Sequence, residues 1–384
     1  MYKVQLLNKI SPAGMARLDS KYQCAEQMDN PDAIIVRSAS MHDMELPDSL
    51  LAVARAGAGT NNIPIDKCSG KGIVVFNTPG ANANAVKELV IEALLLSARK
   101  VYPAMNWVQT LKGEGDAVPA LVEKGKSKFA GPELRGKKLG VIGLGAIGVL
   151  VCNAARHLGM EIYGHDPYIS VDGAWSLSRD VIHAANLKDI FDNCDFITLH
   201  VPLTNETKGM VNSSSIASMK DGVRLLNFSR AELVDTEDII TAVDEKKVYC
   251  YVTDFPTDDL LGHPGILAIP HLGASTPESE DNCAAMAADE IRDFLENGNI
   301  RNSVNMPNTQ MPRSGRPRVT VIHNNKPSMI AKITGAVGEN INNLANNSRG
   351  DYAYSILDLD TMISDSALKA LQDIDGVIRV SVFK

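Results

Sequence analysis

The sequence predicts an α/β protein: two doubly wound parallel-sheet domains, then a small ferredoxin-like βαββαβ domain at the C-terminal end. Three observations lead there. Short runs rich in Val, Ile and Leu recur along most of the chain, each closing on turn-forming or polar residues, as strands buried on both faces do. Helical stretches separate these runs, and alternation of strand and helix is the mark of a parallel sheet. The alternation breaks and restarts across the Gly- and Lys-rich stretch "KGKSKFAGPELRGKK", so two sheets are expected.

The first series consists of "KVQLL" (3–7), "AIIVR" (33–37), "LAVARAG" (51–57) and "GIVVFN" (72–77). A long helical pattern, "NANAVKELVIEALLLSARKVYPAMNWVQTLK" (82–112), comes next, with Pro103 placed to kink it or start a second helix. The second series is "KLGVIG", "EIYGHD", "DFITLHV", "RLLNFS", "YCYVTDF" and "ILAIPH". One helix follows in "TPESEDNCAAMAADEIRDFLENGN", with Thr276 as its N-cap, Pro277 in its first turn and Gly298 at its end. The aperiodic "RNSVNMPNTQMPRSGRP" reads as a connection. The last part holds "RVTVIHN", "MIAKITGAVGEN", "YAYSILDLD", "SALKALQDI" and "VIRVSVF", with room for a short strand near 341–347. That order is βαββαβ.

Of the 384 residues, 45% are hydrophobic and 22% charged, with a net charge of −8. No basic face can dominate such a chain, which argues against nucleic-acid binding. The six cysteines are scattered without a CxxC pair, as in a reduced cytosolic protein without a disulfide framework or metal site. The start "MYKVQLLNKIS" lacks a signal pattern, and no apolar run approaches the ~20 residues of a membrane helix. A cytoplasmic protein is expected.

"GLGAIG" lies directly between a strand and a helix. Gly143 permits the tight turn, Gly145 lets backbone amides approach a pyrophosphate, and Gly148 lets helix and strand pack closely. Asp166 closes "EIYGHD", 18 residues beyond Gly148. A carboxylate there accepts hydrogen bonds from a ribose diol and repels a 2′-phosphate, so NAD is expected over NADP.

Three further stretches fall where strands of the second sheet end, the edge at which such folds bind ligands. "NFSR" carries Arg230, "TDFPTDD" carries Asp258, and "IPHLGAST" carries His271. Hydride loss from a secondary alcohol needs a base for the hydroxyl proton, and imidazole titrates in the useful range. A carboxylate orients that ring and steadies its charged form. A guanidinium grips a carboxylate and polarises a carbonyl.

At these residues the chain resembles the D-isomer-specific 2-hydroxyacid dehydrogenase family, and within it the branch that oxidises 3-phosphoglycerate. "AGAGTNNI" (56–63), "NTPGANANAVKELV" (77–90), "GLGAIG", "HVPLT" (200–204), "NFSRAELVD" (227–235) and "IPHLGAST" correspond to its signatures, in order along nearly the whole chain. The resemblance implies a flavodoxin-like substrate domain, 1–97 with 273–303, into which a Rossmann domain, 98–272, is inserted. That insertion explains a dinucleotide loop in mid-chain. A linker, 304–316, and a regulatory or oligomerisation domain, 317–384, would follow.

By the same resemblance, Arg230 binds the substrate carboxylate, His271 exchanges the proton, and Asp258 takes the place of the usual glutamate beside the histidine, with Asp259 as competitor. Asp254 resembles the aspartate near the nicotinamide, although "VTDF" is shifted by one against the usual "DVF". Ile147, Pro202, Thr204, Ser229 and Gly273 fall at positions that line the NAD groove. Ala58 and Gly59 offer amides to the substrate, and Asn82 resembles a substrate-contacting asparagine. Arg37 and Arg55, at two predicted strand ends, match basic positions that hold the phosphate, with Ser38 as an added hydroxyl and Lys87 as a further candidate.

"VIHNNKPSMIAKITGAVGENINN" resembles an ACT domain, a module that binds amino-acid effectors or assembles oligomers. It implies a homodimer or homotetramer and a serine site at His323, Asn325 and Asn340, with Ser328 where a glycine is usual. The activity implied is NAD-dependent oxidation of 3-phospho-D-glycerate to 3-phosphooxypyruvate, the first step of serine synthesis. Two alternatives stand beside it: oxidation of another D-2-hydroxy acid such as 2-hydroxyglutarate, and an NAD-sensing module without catalysis.

Overall fold

Three sheets carry the chain in a computed structural model that describes residues 1–384. The chain divides into two units, Met1–Asn82 with Thr276–Lys384, and Ala83–Ser275.

The N-terminal segment of the first unit contributes β1 (Tyr2–Leu7), α1 (Pro12–Met15), β2 (Tyr22–Ala25), β3 (Ala33–Val36), β4 (Ala52–Arg55), α2 (Ile65–Gly70) and β5 (Val74–Asn77). All five strands are parallel, in the order β2-β1-β3-β4-β5. That is a flavodoxin-like winding, with its switch point at β1 and β3. The four apolar runs read from sequence became β1, β3, β4 and β5. The edge strand β2 went unseen, because "YQCA" is half exposed and has no apolar run.

The second unit contains α3 (Ala83–Ala98), α4 (Val101–Gln109), α5 (Val118–Gly125), β6 (Lys138–Ile142), α6 (Ala146–His157), β7 (Glu161–His165), α7 (Val171–Ser176), β8 (Ile182–His183), α8 (Leu187–Asn193), β9 (Phe196–Leu199), α9 (Ser213–Ser218), β10 (Val223–Asn227), α10 (Thr236–Asp244), β11 (Val248–Thr253) and β12 (Ile266–Ala268). Its seven-stranded parallel sheet has the order β12-β11-β10-β9-β6-β7-β8. Pro103 sits in the first turn of α4, where a missing amide costs nothing. The expected boundary at 97 differs from the division at 82. Val86, Val90, Ala93 and Leu94 of α3 pack on Leu139, Val141 and Phe196 of this sheet, so the whole helix belongs here.

Returning to the first unit, α11 (Pro277–Asn297) is capped by Thr276, whose hydroxyl accepts the Ser279 amide, and ends at left-handed Gly298. Small side chains let it lie close on its sheet: Ala284, Ala287 and Ala288 share a core with Ala52 and Ala54. A βαββαβ module follows: β13 (Arg318–Asn324), α12 (Met329–Val337), β14 (Ile341–Arg349), β15 (Tyr352–Leu359), α13 (Asp365–Gln372) and β16 (Val377–Phe383). Its antiparallel sheet has the ferredoxin-like order β14-β15-β13-β16. One face packs on α12 and α13; the other sends Ile322, Tyr354 and Ile356 into the core around Ile291 and Phe294.

The connection into this module is anchored throughout. Buried Asn305 accepts the Val75 amide and donates to the Ile73 carbonyl. Arg318 spends all five N–H donors: two on Asp358, at 2.7 and 3.2 Å, and three on the carbonyls of Asn297, Met311 and Pro312. No helix of the protein is long and apolar enough to cross a membrane.

Candidate active site

The glycine loop joins β6 to α6. Gly143 is left-handed, φ +95°, and a Cβ there would lie 2.4 Å from the His200 carbonyl oxygen. A Cβ on Gly148 would lie 1.9 Å from the Gly143 oxygen, so neither position admits a side chain. Around Gly145 the space is open to 4 Å. Gly145 is also the N-cap of α6 and offers no side-chain acceptor, so the first amides of the helix stay available for an anion. Asp166 follows β7; one carboxylate oxygen accepts the Leu144 amide and the other the Tyr168 amide, both at 2.8 Å. The acid is thus tied to the glycine loop itself. Open amides beside a fixed carboxylate fit a diphosphate and a ribose diol.

Other residues proposed for the groove lie on the same sheet edge. Ser229 donates to the carbonyl of Leu199, the last residue of β9, at 2.7 Å. Pro202 and Thr204 form a turn with Thr207, which donates to the Pro202 carbonyl and the Thr204 hydroxyl. Ile147 is half-buried against the core, and a Cβ on Gly273 would lie 3.8 Å from Asp254 Oδ2.

Asp254 follows β11 and is 2% exposed. Its Oδ1 has no hydrogen-bond partner, and its Oδ2 lies 4.0 Å from His271 Nε2. That separation is too long for a hydrogen bond. The imidazole is 66% exposed and packs edge-on against Phe255. Burial raises the Asp254 carboxyl above the usual carboxylate range, and the charges of His271 and Arg230 partly offset this. Arg230 follows β10; its backbone carbonyl accepts a bond from fully buried Asn227 at 2.8 Å.

The structure therefore brings Asp254 and His271 together and leaves Arg230 at the end of the neighbouring strand β10, its Nη1 donating to the Ser229 carbonyl at 2.6 Å. It does not bring Asp258 to the imidazole. Asp258 lies in the short turn Asp258–Leu260 and lines a surface cleft with Glu237, Asp259 and His263. The nearer carboxylate had a signal in the sequence: an acid directly after a buried strand. Sequence reasoning missed His200, whose imidazole burial pushes down to about 4 and whose carbonyl backs Gly143.

In the first unit, Val36 at the end of β3 pairs in register with Arg55 at the end of β4, and Arg37 follows directly. Arg55 Nε donates to the Arg37 carbonyl at 3.1 Å. Its guanidinium folds over Gly57, where a Cβ would lie 2.6 Å from Nη1. Arg37 Nη2 donates to Glu280 Oε1 at 2.6 Å. The Ser38 amide donates to Asn8, and the Ala58 carbonyl accepts Asn77. Gly59 lies 3.6 Å, measured from an ideal Cβ, from Arg55 Nη1. Asn82 is half-buried, and Lys87 of the second unit pairs with Glu88 at 3.4 Å.

Within one chain the three residues expected to hold serine lie apart. His323 is buried, its ring bonded to the Asn324 carbonyl and Ser355. Asn325 donates to the Gly350 carbonyl just past the end of β13. Asn340 donates to Asp360, near the start of β13, roughly 20 Å away along a seven-residue strand. Ser328 holds the left-handed conformation, φ +67°.

A doubly wound parallel sheet with such a glycine loop, a fixed acid after its second strand and an Arg–Asp–His group at its strand ends defines a dinucleotide-binding protein of the dehydrogenase class. A family model described as D-isomer specific 2-hydroxyacid dehydrogenase, NAD binding domain, matches residues 91–273. The chain is 31% identical to the D-3-phosphoglycerate dehydrogenase of Haemophilus influenzae, over 88% of this chain and 82% of that one. It is 33% identical to the Methanocaldococcus jannaschii protein of the same name, over 82% of this chain and 59% of that one. It thus spans little more than half the length of several such relatives, 59% again for that of Bacillus subtilis. A solved NAD+-bound 3-phosphoglycerate dehydrogenase from Entamoeba histolytica aligns at 27% identity and TM-score 0.60, over 79% of this chain and 98% of that one. The chain belongs to the D-isomer-specific 2-hydroxyacid dehydrogenase family.

Proposed function

We propose that the chain is an NAD-dependent D-3-phosphoglycerate dehydrogenase, oxidising 3-phospho-D-glycerate to 3-phosphooxypyruvate. The observation that carries this reading is buried Asp254 4.0 Å from His271, with Arg230 at the end of the adjoining strand β10. A module that only sensed NAD would have no use for a proton-exchanging group of this kind. The names of the relatives point the same way.

When bound, NAD accepts the hydride from C2 of the substrate. The chain's own residues handle the rest. With Nε2 of His271 turned to Asp254, Nδ1 takes the C2 hydroxyl proton, and the Asp254 carboxylate steadies the resulting imidazolium. Arg230 binds the C1 carboxylate and polarises the forming C2 carbonyl. The phosphate is assigned to Arg37 and Arg55. Asp166 selects NAD, because a 2′-phosphate would meet its carboxylate. The six free cysteines suit a cytoplasmic protein. Serine regulation through His323, Asn325 and Asn340 is not part of the proposal.

The test is NADH absorbance with NAD or NADP and a panel of 2-hydroxy acids. The reading predicts turnover with NAD, and a kcat/KM for 3-phosphoglycerate about ten- to hundredfold above that for D-glycerate, the worth of charged hydrogen bonds to the phosphate. Equal or better use of 2-hydroxyglutarate or D-glycerate, or no NADH at all, would overturn it.

A further inference from the structure

We propose that Glu280 is the resident counter-ion of the phosphate site: phosphate binding exchanges it off Arg37, so Glu280 sets affinity for the phosphorylated end of the substrate. The inference deepens the functional reading above and rests on it. Its basis is the contrast between two arginine–carboxylate pairs in the same unit. Arg318 and Asp358 are fully enclosed, joined by two bonds, and every donor of the guanidinium is spent. That is a brace. Arg37 and Glu280 share one Nη2–Oε1 bond with both side chains 43% exposed. That is a contact water and anions can reach.

Two further features favour exchange. Glu280 lies at the N-terminal end of α11, within its first turn. The positive end of the helix stabilises a carboxylate there with or without Arg37, so the acid has a resting place once displaced. Arg55, bonded through Nε to the Arg37 carbonyl, has no carboxylate within 4.0 Å. One of the two guanidiniums is therefore already neutralised and the other is free. A phosphate dianion arriving at the pair meets the like charge of Glu280 seated on Arg37, and moving Glu280 aside turns that repulsion into a second attraction.

Glu280→Gln in the full chain tests this. The KM for 3-phosphoglycerate should fall about two- to fivefold, the worth of an exposed ion pair. The KM for D-glycerate, which lacks the phosphate, should hold, and high salt should erase the difference. On an Arg37→Ala background the substitution should have no effect. A parallel measurement needs no turnover: the concentration of inorganic phosphate that half-saturates the thermal stabilisation of the protein should fall by the same factor. A raised KM would make Glu280 a brace for Arg37, and an unchanged KM and phosphate midpoint would make the pair idle; either overturns the exchange. Wild-type protein that forms no NADH from 3-phosphoglycerate refutes the functional reading separately, and the phosphate midpoint still decides the role of Glu280.

Discussion

Asp254→Asn removes the carboxylate that lies beside His271 while keeping its shape. Two unit charges at the observed 4.0 Å attract by about 1 kcal/mol in water and about 4 kcal/mol at an effective dielectric of 20. The imidazole is two-thirds open to solvent and Asp254 is enclosed, so the lower half of that range applies, about 1–2 kcal/mol. At tenfold per 1.4 kcal/mol, kcat should fall about five- to thirtyfold. The assay is steady-state NADH formation at saturating 3-phosphoglycerate and NAD, with Asp258→Asn measured alongside. Asp258 lines a different cleft, and its variant should stay within about twofold of wild type, as surface substitutions do. The Asp254→Asn protein should melt no lower than wild type, since the substitution removes a buried carboxyl with an unpartnered oxygen. A larger loss in Asp258→Asn than in Asp254→Asn would refute the reasoning, and the partner of the histidine would be the acid expected from sequence.

Other outcomes concern stability. Asp358→Asn leaves the buried Arg318 charge unpaired and should cost about 3–5 kcal/mol in urea unfolding; a loss below about 1 kcal/mol would show that Asn297, Met311 and Pro312 hold the guanidinium unaided. Burial raises the carboxyl of Glu290 to about 8, against the opposing bond from Asn302. The folded chain therefore keeps a proton that the unfolded chain loses near 4.5, and stability should decline by about 1.4 kcal/mol per pH unit as pH rises through that window. Glu290→Gln should flatten that slope, and thermal melts from pH 5 to 8 that fall equally in both proteins would count against it. Ser328→Gly should gain about 0.5–1 kcal/mol, because serine pays for a left-handed backbone that glycine adopts freely; a loss would mean the serine side chain contributes more than its strain.

Much of this molecule was legible because its determinants are local. The glycine loop declares itself through three glycines, two of them where a side chain would collide with backbone, and Asp166 through its spacing from them. Runs such as "AIIV" became fully buried strands because β-branched residues leave few alternatives. What escaped depends on distant partners. Nothing in "YQCA" marks an edge strand, since half its face stays wet. The polar stretch around Asn305 read as a loose connection, yet its side chain is buried by bonds to residues more than 200 positions away. Nothing in "VIHNN" announces that His323 is buried, its ring bonded to the Asn324 carbonyl and the Ser355 hydroxyl. The choice between Asp254 and Asp258 turned on which acid the chain leaves at the end of β11 and which it carries past into the next turn, a distinction of four residues.

The most direct measurement follows the hydrogen itself. With 3-phospho-D-glycerate deuterated at C2, wild-type protein and NAD, the account predicts one deuterium in each NADH formed, read by mass spectrometry, and loss of that transfer in His271→Ala. Deuterium released to water, or NADH carrying only solvent hydrogen, would contradict direct transfer from C2 and with it the roles assigned to Arg230, Asp254 and His271.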